Sequence, residues 1–504
     1  MGVTALATRD GVLDATDRKA LTDLAARIAT GEPRILLHLH GGLVDERAAR
    51  DMATRLSGTG EQSYNAPAEW EQVYVVWRTG ALETLSANWR DLAANDRLYR
   101  TLLRRLIGIV SDNVGTPMVG GGRGGGPTPL SAKEIDEQLQ PGVERPFERF
   151  DAVRPVEAAG RGVVASDADE SLRMAVASDP EIEAAALSVE AAVAETMPAG
   201  TRGGVTGDAV EGARSLSNLD ADIRIKLQVE AAGQASTRGV FATRVAARLV
   251  GSAIAIGLRV LDRYRRGRDH GLHATVTEEI ARELYGDLIG SVIWGMMKTD
   301  AADHFTPGRL GDELLRAIGA NPKARLLIVG HSAGSIFASE LLLWAARENV
   351  PLKADVVFLA PAVRMERFAK ALDAAEDRIG RFRLYAMQDG LEREDALLGR
   401  GLAYVYPSSL LYLVSGLFEE HADRTLSDAP LLGMQRFLEG ATSWDEDPRE
   451  GPAIARVRAF LAKEQNRTVL AKVTGGPGLN CDATSHGAFD DEKATLASVA
   501  TFMA

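Results

Sequence analysis

The stretch Arg325 to Leu342 reads RLLIVGHSAGSIFASELL. Leu326 to Val329 form a continuous apolar run, the pattern of a strand buried on both faces. Ser335 onward reads as a helix, with Ile336, Phe337, Leu341 and Leu342 as its apolar positions. Between them, Gly330-His331-Ser332-Ala333-Gly334 fits G-x-S-x-G. That pattern alone is common, but a strand running straight into it and a helix leaving it make a sharp turn that lifts a serine above the sheet edge. Gly330 and Gly334 are expected to be glycine because a side chain would clash in the turn. The N–H of Ala333, at the helix start, would point to where an oxyanion forms.

Working outward, other apolar runs alternate with helical patterns. Arg34 to Leu39 (RILLHL), Val73 to Trp77, Val356 to Leu359, Arg383 to Met387 and Thr468 to Val473 read as strands. The spacing predicts helices over Arg47 to Leu56, Trp89 to Ile109, Phe241 to Tyr264, Val276 to Met297 and Pro307 to Ile318. The fold class is therefore α/β, a mostly parallel sheet with helices on both faces. No pair of strands is evident before RILLHL.

The first strand runs into His40-Gly41-Gly42-Leu43, a glycine turn that frees backbone N–H groups; Gly42 or Leu43 would supply the second oxyanion donor. A serine hydroxyl needs a base. Of the eight histidines, His486 alone follows a late strand, in Thr484-Ser485-His486-Gly487, as the order serine, acid, histidine requires. His331 is too close in sequence to swing over Ser332, and His421 reads as a surface helix end. The acid should follow the strand RFRLYAM; Asp389 does, with Asp395 as its rival six residues on.

With these motifs in this order, the chain resembles the α/β-hydrolase superfamily of serine hydrolases, over roughly residues 30–110 and 320–504. The resemblance implies a Ser332–His486–Asp389 triad, an oxyanion hole at Ala333 with Gly42 or Leu43, and hydrolysis of an ester, thioester or amide. A carboxylesterase or lipase is its first implication. No cofactor and no metal is implied. The alternative is a non-catalytic binding or scaffold protein of the same fold, recruiting a protein partner through the insertion described next.

Length, at 504 residues, suggests about three domains. The motif order favours one hydrolase domain split by an insertion: residues 1–110 and 320–504 form its halves, 111–239 a Gly-rich linker and acidic, partly disordered segment, and 240–319 a helical cap. Residues 131–230 hold 20 acidic against 10 basic side chains, a net of −10 in a chain of net −12. This balance excludes a basic nucleic-acid-binding face. Val119 to Pro127 (VGGGRGGGP) lacks the following Lys-Ser/Thr of a phosphate loop and reads as linker. His270 and His273, with Asp269 and Glu278 nearby, read as structural hydrogen-bonding groups rather than metal ligands. Val250 to Val260 and Ser408 to Phe418 are apolar enough for an acyl-chain wall, though such helices are more often core. One cysteine, Cys481, rules out an internal disulfide framework. With no signal-like start and no spanning segment, the expected location is cytoplasmic, with a small ester-type substrate as partner.

Overall fold

A computed structural model describes residues 2–42, 44–77, 82–115, 127–153, 166–196, 207–232, 238–286, 291–419, 428–440 and 442–504. Its centre is an eight-stranded sheet: β1 (Val3–Arg9), β2 (Val12–Leu13), β3 (Arg34–Leu39), β4 (Trp70–Trp77), β5 (Arg325–His331), β6 (Ala354–Leu359), β7 (Ile379–Ala386) and β8 (Thr468–Leu470). The spatial order is β2-β1-β4-β3-β5-β6-β7-β8, and every neighbouring pair is parallel except β1 with β2. The class is α/β. β3 to β5 are apolar almost throughout because helices cover both faces.

Two strands were not expected. β1 reads VTALATR, where small and hydroxylated residues dilute the apolar signal, yet Leu6 and Ala7 are buried and the strand pairs with β4 over six positions. β2 is only two residues, the edge of a tight hairpin through Asp10 and Gly11, both at positive φ.

Between β4 and β5 the described residues form helices and the loops that join them, with no strand. The helix expected over Trp89 to Ile109 is two, Leu82–Asn95 and Arg97–Gly115, separated by Asp96. The buried Asp96 carboxylate accepts from the Tyr99 N–H (3.0 Å), Ser215 Oγ (2.8 Å) and Asn218 Nδ2 (2.9 Å), so it starts the second helix and anchors another. The helix expected over Val276 to Met297 is likewise two, Leu272–Leu284 and Ser291–Asp303. The acidic segment, where described, is also helical. Ser166–Ala177, Pro180–Thr196, Gly207–Asn218 and Ala221–Ala232 bury Leu172, Val189, Leu216 and Leu227, and Asp179 caps the second of these through the N–H groups of Glu181 and Ile182. Residues 119–126 of the glycine run lie outside the described residues.

These helices share one continuous apolar core with the sheet. They are also joined to the C-terminal half by buried charge. Arg263, on the helix Arg238–Arg265, places Nη1 2.7 Å from Glu278 Oε2 and 3.0 Å from Glu279 Oε1, all three side chains being buried. Glu278 also holds His270 Nδ1 at 2.9 Å and accepts from Tyr406 OH at 2.7 Å. Arg268 pairs with Asp428 at 2.7 Å and lies over the Trp444 ring. Ringed by Arg282, Arg259 and Arg263, the Glu279 carboxyl is held down to about 2 despite its burial. Arg263→Ala removes the buried cation that Glu278 and Glu279 share, and chemical denaturation is expected to register a loss of about 3–5 kcal/mol. His270 stacks on Tyr412, whereas His273 packs edge-on to Phe147 and bonds through neither ring nitrogen. Within the two apolar stretches, Ala253, Ile256, Val260 and the residues Leu411 to Phe418 are core.

Candidate active site

The chain runs from β3 to β4 on one side and from β5 to β6 on the other, so β3 and β5, adjacent at the sheet centre, mark the point where the winding reverses. In open parallel sheets the crevice beyond the carboxyl ends of such strands is where ligands bind. Leu39 pairs with Gly330 at those ends, which sets the His40-Gly41-Gly42 turn beside Ser332.

Ser332 is held in a strained left-handed conformation, φ +50°. Its N–H donates to Leu359 O (2.9 Å), and its carbonyl accepts from the Ala362 N–H (3.0 Å) and Ser335 Oγ (2.6 Å). The flanking glycines are required by contact. A Cβ on Gly330 would sit 2.9 Å from the Gly334 carbonyl group, and one on Gly334 would be driven into the Leu39 carbonyl oxygen. The Leu39 obstacle is backbone and cannot swing away, so Gly334→Ala is expected to lose at least about 2–3 kcal/mol in a urea melt.

Across the crevice, His486 opens a short 3₁₀ turn, His486–Asp490. Its Nε2 lies 2.8 Å from Ser332 Oγ, and both side chains are buried. Burial, with the His331 ring beside it, lowers its imidazole to about 3, so the ring is neutral and Nε2 is open to accept the serine proton. The N–H groups of Ala333 and Gly42 have no acceptor among the described residues, although Ala333 is fully buried. A Cβ on Gly42 would lie 3.3 Å from the Ala333 Cβ, so the two donors are neighbours. The turn carbonyls are taken: Trp77 Nε1 donates to His40 O (3.3 Å), and His40 Nδ1 bonds Gly41 O (2.7 Å). Leu43, the other candidate donor, lies outside the described residues, as does His421.

Neither candidate acid bonds the His486 ring, and the structure gives the two different places. Asp389 begins the helix Asp389–Glu394. It pairs with Arg393 and Arg436, each at 3.0 Å, and accepts from Tyr412 OH. The six-residue helix carries the chain to Asp395, whose Oδ2 accepts the backbone N–H of His486 at 2.7 Å. Burial raises the Asp395 carboxyl above its ordinary value. Of the two carboxylates weighed from sequence, Asp395 is the one that holds the histidine. Nδ1 of His486 is buried without a hydrogen-bond partner.

Four contributors escaped the sequence reading. Met297, on the helix Ser291–Asp303, reaches over the glycine turn: its Sδ would lie 2.6 Å from a Cβ on Gly42. Glu419 fastens that helix by accepting from Trp294 Nε1 (2.7 Å) and pairing with Lys298 (2.8 Å). His331 flanks His486, with the two rings 5.5 Å apart, and Asp490 pairs with His331 from the same 3₁₀ turn as His486.

Comparison with family models, curated proteins and solved structures found no match.

Among the described residues no three His, Cys, Asp or Glu side chains are grouped to hold a metal, and no helix is long and apolar enough to cross a membrane.

Proposed function

We propose that the protein is a serine hydrolase of the α/β-hydrolase type, acting on a carboxylic ester and, by the same chemistry, on a thioester or amide. The observation that carries the reading is the 2.8 Å contact between Ser332 Oγ and a neutral His486 Nε2, with the serine strained at φ +50°. In this mechanism Oγ attacks the substrate carbonyl as its proton passes to Nε2. The oxyanion forms against the N–H groups of Ala333 and Gly42. The imidazolium then protonates the leaving alkoxide, and water, deprotonated by the same nitrogen, releases the acid from the acyl-enzyme. Asp395 holds the His486 loop and offers the carboxylate that steadies the imidazolium. These side chains and amides complete the cycle with no cofactor.

A carboxylesterase or lipase is the first choice, because the buried face of the helix Ser291–Asp303, with Trp294 and Met297, packs against the buried apolar segment 411–418 on the side of the glycine turn. We also infer a cytoplasmic setting, in keeping with a single, buried free thiol. A non-catalytic role is favoured by one observation, the 3% exposure of Ser332. Turnover of p-nitrophenyl esters of rising chain length, beside a matching amide, separates the readings. A chain-length optimum identifies the acyl class, and a folded protein that turns over none of them and resists a fluorophosphonate probe overturns the hydrolase reading.

A further inference from the structure

His331, the residue before the nucleophile, has both ring nitrogens facing acceptors. Nε2 is 3.1 Å from the carbonyl oxygen of His486, and Nδ1 is 3.6 Å from Asp490 Oδ2. A carbonyl can only accept, so Nε2 carries hydrogen. Asp490 is also fastened by Arg55, whose Nη1 donates to its backbone oxygen at 2.6 Å and whose Nη2 is 3.8 Å from Oδ2. A carboxylate set between Arg55 and His331 is ionised, and at 3.6 Å it faces His331 Nδ1 as the partner of an ion pair. The pair therefore reads as a buried imidazolium–carboxylate, with the His331 and His486 rings 5.5 Å apart and tilted by 31°.

Resting on the serine-hydrolase reading, we propose that His331 is a positioning residue for His486: with Asp490 it fixes the His486 carbonyl and sets a positive charge beside the ring that accepts the Ser332 proton. The groups facing His331 are Asp490 and His486 on the 3₁₀ turn, Asp491 just beyond it, His38 and His40 on and after β3, and Arg55 on the helix Glu46–Ser57. His38 and His40 are held neutral by burial, lowered to about 3 and about 4, so they add no competing charge. Asp490 is held down to about 2 beside His331, and His331 is raised above its ordinary value, both in the direction the geometry requires. A fixed cation next to His486 disfavours its protonation, which keeps the base available in mildly acidic solution.

The test is the pH dependence of the fluorophosphonate labelling rate of the full-length protein, which needs no knowledge of the substrate. Labelling requires neutral His486, so the rate falls as pH drops through its pKa. His331→Gln keeps an N–H that can reach the His486 carbonyl but removes the charge, and is expected to move the acid-limb midpoint up by about one pH unit. A purely structural role would lower the rate at every pH and leave the midpoint where it was; that result overturns the inference while wild-type labelling preserves the hydrolase reading. A folded wild type that is unlabelled at any pH overturns both. Imidazole ¹⁵N resonances of the wild type give a second readout that stands even where the variant fails to fold. Two protonated nitrogens on His331 at pH 7.5 are expected, and a neutral ring there overturns the inference.

Discussion

Ser332→Ala is expected to abolish fluorophosphonate labelling and to reduce ester turnover by roughly 10⁴–10⁶-fold, with substrate affinity little changed. The substitution removes one oxygen, the one 2.8 Å from His486 Nε2, and alanine tolerates the backbone no better than serine does at φ +50°. His486→Ala is expected to fall by a similar factor, because a nucleophile without its base and a base without its nucleophile are equally idle. The double variant should then be hardly worse than either single one. Residual turnover well above water, from the Ala333 and Gly42 donors alone, is part of the expectation. Additive losses in the double variant would show that the two side chains act separately.

The second large effect separates the two carboxylates. Asp395→Asn is expected to lower kcat by roughly 10²–10⁴-fold while leaving the fold intact. The amide is nearly isosteric, yet it supplies no charge for the imidazolium and can turn a donor toward the His486 N–H. Asp389→Asn should act differently. Asp389 lies in a network with Arg393, Arg436 and Tyr412, where burial beside that carboxylate raises the Tyr412 hydroxyl well above its ordinary value. Its loss should appear as a lower denaturation midpoint with labelling within a few-fold of wild type, since removing one partner of a largely buried pair destabilises without touching His486. Steady-state kinetics and melts of the two variants, side by side, check the assignment. If Asp389→Asn is the kinetically crippled one, the acid is Asp389 after all.

Much of this was legible in the chain. Six strands announce themselves as apolar runs because helices bury both faces of the sheet, and the glycines at 330 and 334 answer to backbone contacts that any strand–turn–helix of this shape makes. β1 was hidden for the converse reason: Thr4, Ala5, Ala7 and Thr8 fill a sheet position with small side chains that carry little hydrophobic signal. The helix breaks at Asp96 and after Leu284 were masked by apolar residues continuing on both sides. Which carboxylate meets the backbone of His486 depends on how many residues the chain winds into a helix before it passes that loop, and Met297 came over the glycine turn through tertiary packing alone. Neither is written in local periodicity.

The placement of the helical insertion bears on how the molecule is made. β3 and β5 lie side by side, with Arg34 opposite Arg325, so the two strands that lead into the glycine turn and Ser332 cannot pair until every helix between them has been synthesised. Closing so long a loop adds little entropy beyond that of a moderately long one, but such distant pairings form slowly. Until β5 arrives, the apolar edge of β3 is open on the ribosome to any other strand that reaches it. The helices that separate β4 from β5 bury their own apolar faces against one another, and so let this half-built sheet wait for its central strand.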